Sequence, residues 1–114
     1  ESAVLAGCLR YLEKAGIYHW RNSTGAVRIA PGRFIRFGKV GSSDIEGILP
    51  GGRFLAVEVK APGGRLSPEQ RQFLAEVQPL GGLAVTVRGW RELADMLREA
   101  GYVTMGPLFG GGNN

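Results

Sequence analysis

Two apolar segments joined by a Pro-Gly-Gly turn constrain the fold of this 114-residue chain more than any other feature. The first segment covers residues 44–49, the second covers residues 53–60, and a turn of residues 50–52 separates them. This arrangement predicts a hairpin of two antiparallel strands. In the second strand, alternation places Leu55, Val57 and Val59 on a core face, and Phe54, Ala56, Glu58 and Lys60 on the other.

The segments around this hairpin predict an α/β fold. Apolar residues at helical spacing indicate a first helix that closes at residues 15–16, and residues 17–21 read as a short strand. Residues 27–40 predict only an irregular β-segment or loop. A helix begins after Ser67, with Pro68 at its first position, and ends at residues 81–82. Its expected buried stripe is Phe73, Leu74, Val77 and Leu80.

The last elements are a buried strand at residues 83–87 and a helix at residues 90–100. A helix between two strands implies a right-handed crossover and one parallel pair of strands. Together with the antiparallel hairpin, this pair predicts a mixed sheet with helices on its faces. We expect one domain over residues 1–105 and a flexible Gly-rich tail over residues 106–114.

Composition narrows the class of protein. Hydrophobic residues make up 44% of the chain, enough for a core, and no apolar run approaches the ~20 residues that span a membrane. The net charge of +4 suits a polyanionic partner without requiring one. The single cysteine, Cys8, is predicted to be a buried thiol, and its inability to form an internal disulfide fits a reducing, intracellular compartment.

The positive charge is concentrated in one stretch. Residues 21–39 contain five basic residues and no acidic one. A phosphate-contacting surface and a merely solvated basic face are both compatible with this pattern. The residues concerned are Arg21, Arg28, Arg33, Arg36 and Lys39.

Asp44, Glu58 and Lys60 form the candidate catalytic group. In an antiparallel hairpin the start of the first strand meets the end of the second, so Asp44 is expected near Glu58 and Lys60. Two adjacent carboxylates repel each other unless a cation lies between them, and oxygen ligands suit Mg²⁺ or Mn²⁺. Lys60 faces the same side and can orient or deprotonate a water, which completes the requirements for phosphodiester hydrolysis.

Each of these residues also has a structural interpretation. Asp44 alone can simply begin a strand after a turn, and Glu58 with Lys60 can form a solvated strand edge. Gln70 is compatible with a site near the active centre and with a capping box, in which its side chain binds the backbone of Ser67. The two roles of Gln70 do not exclude each other.

The motifs resemble the VRR-Nuc domain of the PD-(D/E)xK nuclease superfamily, in its compact phage and bacterial form. The resemblance covers roughly residues 1–90, and the combination of Glu-Val-Lys with Arg-Leu-Ser-Pro-x-Gln is its most specific part. The superfamily's namesake proline is replaced by Ser43. The matching residues are Glu1, Trp20, Arg21, Asn22, Gly25, Gly41, Asp44, Gly52, Arg53, residues 56–60, residues 64–68, Gln70, Phe73 and Leu74.

The resemblance implies roles for particular residues. It implies a restriction-endonuclease-like αβββαβ core in which Asp44, Glu58 and the backbone carbonyl of Val59 bind the metal. Lys60 would be the catalytic lysine, and Gln70 would match a helix glutamine near the active site. Glu1 would match a supporting acidic residue. The expected DNA-binding residues are Arg21, Arg33, Arg36, Lys39 and Arg65.

The resulting expectation is a Mg²⁺- or Mn²⁺-dependent endonuclease that cleaves branched DNA such as four-way junctions, in the cytoplasm of a bacterial or phage-infected cell. Two alternatives remain open: a non-catalytic module that binds structured DNA, and a nuclease subunit whose specificity comes from a partner protein. At this length we expect no separate target-recognition domain, which favours recognition of DNA shape.

A homodimer is also expected, because resolving a junction needs two symmetric cuts. Phe34, Ile35 and Phe37 are large apolar residues in a segment interrupted by Gly and Pro. Packing against a second copy, with or without exchange of the segment, would bury them. In the alternative, they fold back onto their own sheet.

Overall fold

A computed structural model describes residues 1–102 of the chain. The elements follow in the order α1 (Ser2–Lys14), β1 (Tyr18–Arg21), β2 (Gly25–Ala30), β3 (Arg33–Phe37), β4 (Ile45–Leu49), β5 (Arg53–Val59), α2 (Pro68–Val77), a 3₁₀ turn (Gln78–Leu80), β6 (Leu83–Val87) and α3 (Trp90–Glu99). The proposed tail at residues 106–114 lies outside the described residues. None of the described helices has the length and apolar character needed to cross a membrane.

The main sheet has four strands in the order β1-β4-β5-β6. β4 is antiparallel to both β1 and β5, whereas β6 is parallel to β5. Helix α2 makes the crossover between the parallel strands, as the sequence predicts. The expected mixed sheet with flanking helices is therefore confirmed, and the α1-β1-β4-β5-α2-β6 core matches the restriction-endonuclease-like order.

The hydrophobic core lies between the sheet and the helices α1 and α3. Its strand residues alternate because successive side chains of a strand point to opposite faces. Cys8 is buried in this core, as predicted, and burial is the main reason why the pKa of its thiol rises to about 11. The fully buried members include Leu12, Ile45, Leu55, Val57, Val59, Val87, Leu93 and Leu97.

Helix α2 covers β5 and β6 on the opposite face of the sheet. Ser67 and Pro68 begin it as predicted. The expected buried stripe is only partly correct: Phe73, Leu74 and Val77 are half-buried, and Leu80 is 87% exposed. Leu80 belongs to the 3₁₀ turn after the helix, so the helical periodicity that predicts its burial no longer applies there.

Residues 25–37 form a second, two-stranded sheet rather than the irregular segment expected. The connection places Gly32 at a φ of +73° after Pro31, the arrangement of a type II turn. A register shift between Arg28 and Ala30 interrupts the pairing, which is why the alternation is hard to recognise in the sequence. Neither strand packs extensively on another helix or strand.

Candidate active site and metal centre

The hairpin of β4 and β5 brings Asp44 and Glu58 together. Asp44 directly precedes β4, and the pairing of Ile45 with Val57 places it beside the end of β5. Its Oδ2 accepts a hydrogen bond from the backbone N–H of Val59 over 2.8 Å. The N–H and C=O of a residue in a strand leave toward the same edge, so the Val59 carbonyl is also directed to the Asp44 side.

Glu58 is a buried carboxyl in an unfavourable environment. Its side chain is only 1% exposed. Burial, followed by the negative charge of Asp44 and a hydrogen bond with the Asp44 side chain, raises its pKa to about 8, while the Lys60 ammonium opposes this increase. In the absence of a cation, the carboxyl group of Glu58 therefore tends to keep its proton. A cation between the two groups would offset both the burial and the negative charge of Asp44, and would favour the ionised form of Glu58.

Lys60 completes the cluster. Its Nζ lies 3.7 Å from Oε2 of Glu58, and its side chain is 12% exposed. The Lys60 backbone N–H donates to the carbonyl of Val87 over 3.0 Å, which extends the β5–β6 pairing by one residue. The burial of Glu58 and Lys60 rules out the alternative in which both belong to a solvated strand edge.

Gln70 makes both of the contacts that the sequence left open. Its Oε1 accepts from the backbone N–H of Ser67 over 2.9 Å, and the Ser67 hydroxyl accepts from the Gln70 N–H over 3.1 Å. Its Nε2 donates to Oε2 of Glu58 over 2.8 Å. The orientation of the amide follows from chemistry, because only its oxygen can pair with the Ser67 N–H.

Asn22 holds the loop that carries Asp44. The sequence showed this residue as part of the resemblance to the VRR-Nuc domain but indicated no role for it. Its side-chain amide donates to Oγ of Ser42 over 2.7 Å and to the carbonyl of Ser43 over 2.9 Å. Its backbone N–H donates to the Asp44 carbonyl over 2.8 Å. The sequence signal was weak, because an Asn beside Ser and Gly is also typical of an ordinary turn.

Two further residues shape this loop. Gly41 has a φ of +84°, and a Cβ there would overlap the backbone carbonyl of Glu69 in α2. Only glycine allows the loop to approach the helix this closely. Ser43, at the position of the namesake proline, is fully buried and donates from its hydroxyl to the carbonyl of Ile45 over 3.0 Å.

A polar cleft opens beside Asp44. It lies between the loop, the start of α2 and the base of the β2–β3 hairpin. Of the candidate catalytic residues, Asp44 lines this cleft, and Gln70 lines it too. The cleft is lined by Arg21, Asn22, Ser23, Thr24, Val40, Gly41, Ser42, Asp44, Ser67, Glu69 and Gln70.

The remaining predicted site residues lie at different distances from this cleft. Arg21 lines it, whereas Arg33 and Arg36 lie on the hairpin and Lys39 follows that hairpin; all are exposed. Arg65 is exposed in the loop between β5 and α2. Glu1 is the exposed N-cap residue of α1, and among residues 1–102 no hydrogen bond or ion pair joins its side chain to the cluster.

The residues present fit a divalent cation. No group of three or more His, Cys, Asp or Glu side chains gathers within the described part of the chain. The oxygen atoms that could hold a cation here are those of Asp44, Glu58 and the Val59 carbonyl. Mg²⁺ is commonly held by one or two carboxylates and completes its coordination with water and substrate phosphate. The position of the buried Glu58 carboxyl beside Asp44 supports such an ion here.

Fold and site together define an α/β protein with a restriction-endonuclease-like core and an acidic, lysine-containing site at the end of its central hairpin. The profile of the VRR-NUC domain family matches residues 14–90. The chain belongs to this family, a group of PD-(D/E)xK-type nuclease domains, as the motifs predicted. The protein is thus a nuclease of a type that acts on DNA and generally uses divalent metals. Neither a curated protein nor a solved structure matches the chain significantly.

Proposed function

We propose that the protein is a Mg²⁺- or Mn²⁺-dependent endonuclease that cleaves branched DNA, and that Asp44, Glu58 and Lys60 are its catalytic residues. The observation that carries the catalytic part is the convergence of these three side chains at one end of the β4–β5 hairpin. A non-catalytic DNA-binding module would have no need for a buried carboxylate beside a second one. Maintaining this pair without a cation is unfavourable.

Each side chain has a distinct task in this proposal. Asp44 and Glu58, with the Val59 carbonyl, would hold a divalent cation, and such an ion would supply Lewis-acid polarisation of the phosphodiester and easier ionisation of a water. Lys60 positions that water and stabilises the negative charge that develops on the phosphate. Gln70 keeps the Glu58 carboxylate oriented, because its own amide is fixed by the backbone of Ser67.

Cleavage assays test the catalytic part directly. Labelled linear, flap and four-way-junction DNA would be incubated with the protein in Mg²⁺, in Mn²⁺ and in EDTA. Cuts within the strands in either metal, and none in EDTA, are expected. Binding of DNA without cleavage in both metals would instead identify a non-catalytic binding module.

The preference for branched DNA has separate support. The β2–β3 hairpin extends from the base of the cleft and carries Arg28, Arg33 and Arg36 on exposed positions. A substrate with two arms can offer one arm to the cleft and the other to the hairpin, and this double contact is our reason for proposing branched DNA. We expect cleavage of junction or flap DNA at least about tenfold faster than cleavage of the matched duplex. Equal rates would contradict the structural preference and leave the nuclease function intact.

A homodimer is the final element of the proposal. Val27 pairs with Ile35, and Phe37 covers Gly25, which gives the hairpin an apolar face with exposures of 52%, 54% and 43% for Val27, Ile35 and Phe37. Contact with a second copy would bury this face. A two-fold dimer would also relate two catalytic sites by symmetry, as two symmetric cuts require. Light scattering should give twice the chain mass of 12.2 kDa. An Ile35→Asp variant should give the monomer mass, and a wild-type monomer would refute the dimer.

A further inference from the structure

The β2–β3 hairpin has two chemically different faces. Arg28 is directly opposite Phe34, and Ala26 is directly opposite Arg36. Opposite residues of an antiparallel pair share a face, so Phe34 lies with the two arginines. Ile35 and Phe37 lie on the other face. Phe34, Ile35 and Phe37, although close together in the sequence, therefore do not form one apolar surface.

The face made by Arg28, Phe34 and Arg36, here called the arginine–phenylalanine face, is open to solvent. Phe34 is 62% exposed, the largest exposed fraction among the hydrophobic side chains of the hairpin. Both arginines are exposed as well, and no acidic residue occurs in residues 25–37. An aromatic ring flanked by guanidinium groups is complementary to a nucleotide, in which a planar base is bordered by anionic phosphates.

The hairpin that carries this face begins and ends beside the cleft. Ser23 and Thr24 precede the hairpin, Val40 follows it, and all three line the cleft that contains Asp44. The neck of the hairpin is closed tightly, because a Cβ at Gly38 would lie 2.6 Å from the carbonyl oxygen of Ser23. A strand that enters the cleft is therefore close to the base of the hairpin.

We propose that the arginine–phenylalanine face binds the nucleotides at a branch point, with Phe34 stacked on an unpaired base and Arg28 and Arg36 on the flanking phosphates. This inference rests on the proposed function. It identifies the unpaired base as the feature by which the protein would distinguish branched DNA from duplex DNA. In an intact duplex each base is covered by its neighbours, so stacking on Phe34 would first require unstacking. At a branch point an exposed base is available without that cost.

Binding in EDTA tests the inference independently of cleavage. A flap substrate would carry the fluorescent base 2-aminopurine at the branch nucleotide, and a matched duplex would carry it at the same position. Stacking on an aromatic ring should quench its emission. The variants are Phe34→Ala, the conservative Phe34→Trp, and Leu80→Ala, a control that removes an exposed apolar side chain outside both the hairpin and the cleft. Melting temperatures and light scattering would accompany every variant to verify folding and oligomeric state.

The wild type, Phe34→Trp and Leu80→Ala should each quench the branch-point base and retain their preference for the flap. Phe34→Ala should lose the quenching and bind the flap about tenfold more weakly, the scale of one stacked base, while its affinity for duplex stays unchanged. Unchanged quenching in Phe34→Ala would overturn the inference. So would an equal loss for flap and duplex, or a change of oligomeric mass, which would assign Phe34 to an interface between copies. Absence of cleavage in Mg²⁺ and Mn²⁺ would count against the proposed function alone, since these readouts need no catalysis.

Discussion

Gln70 donates a hydrogen bond to the buried carboxylate of Glu58 while its other amide atom caps helix α2 at Ser67. One side chain thus connects the beginning of a helix to the end of a strand. The capping box and the active-site contact are two halves of the same arrangement, because a freely rotating glutamine would orient Glu58 poorly. Helix capping here contributes directly to the geometry of the proposed metal site.

Separate variants should divide these two roles. Ser67→Ala removes the hydroxyl of the cap but keeps the Gln70 side chain, and should lower the free energy of unfolding by about 1 kcal/mol with a small effect on cleavage. Gln70→Ala removes the contact with Glu58 as well and should reduce cleavage by about tenfold or more. Denaturant unfolding and single-turnover cleavage measure the two effects. Equal activity losses in both variants would show that Gln70 acts only through helix stability.

Loss of a catalytic group should affect cleavage far more than folding. Asp44→Ala and Lys60→Ala are each expected to slow DNA cleavage by at least about a hundredfold. Both proteins should remain folded, because the Asp44–Glu58 repulsion does not stabilise the metal-free protein. The matched control is Lys14→Ala, an exposed lysine at the end of α1. Wild-type cleavage by Lys60→Ala in Mn²⁺ would show that the proposed site is incorrect.

The raised pKa of Glu58 makes the metal-free protein sensitive to pH. The unfolded chain loses this proton near pH 4.5 and the folded chain near pH 8. Between these values the unfolded state binds fewer protons, so the Glu58 contribution to stability decreases as the pH rises. Glu58→Gln has no such proton to lose, and its carbonyl can still accept from Gln70.

Melting temperatures in EDTA from pH 4.5 to 8 measure this contribution. The difference between Glu58→Gln and wild type should increase with pH in favour of the variant. Adding Mn²⁺ at pH 8 should stabilise the wild type and leave Glu58→Gln nearly unchanged. Glu13→Gln, an exposed change on α1, is the control for an altered charge. A difference that does not vary with pH would contradict the assignment of the buried proton to Glu58.

Asn22 should act on metal binding through the Asp44 loop. Asn22→Ala removes the bonds to Ser42 and Ser43, and Asn22→Asp keeps the shape but places oxygen atoms against their oxygens. Both variants should bind Mn²⁺ more weakly, measured by the metal concentration needed for thermal stabilisation. High Mn²⁺ should restore most of the cleavage, because Asn22 positions Asp44 and does not itself bind the ion. No recovery at saturating metal would mean that Asn22 has a different role.

The basic stretch makes a prediction about salt dependence. Reversing Arg33 and Arg36 to Glu should weaken binding to all DNA sequences and reduce the slope of log affinity against log salt by roughly one unit per lost phosphate contact. Arg10 and Arg98 lie on helices α1 and α3, and their reversal changes the net charge equally. An unchanged slope in the first variant, or an equal reduction in the control, would show that Arg33 and Arg36 are merely solvated and do not contact phosphates.

The sequence was sufficient for the order of the core elements and for the candidate cluster. The period of the apolar residues distinguishes helix from strand, and the Pro-Gly-Gly turn fixes which strands pair. The proximity of Asp44 to Glu58 and Lys60 follows from that pairing alone. These features depend on residues that are close along the chain or related by one turn, and local patterns report such relationships well.

The tertiary structure decided what depends on contacts between distant segments. The clamp of Asn22 on the Asp44 loop joins residues about twenty positions apart, and the joint role of Gln70 needs the end of β5 beneath α2. The sequence likewise did not reveal that Leu80 is exposed, that no hydrogen bond or ion pair joins Glu1 to the cluster within residues 1–102, or that Phe34 lies on a different face from Ile35 and Phe37. Burial and facing depend on what packs over a residue, and a sequence pattern specifies only the residue and its immediate neighbours.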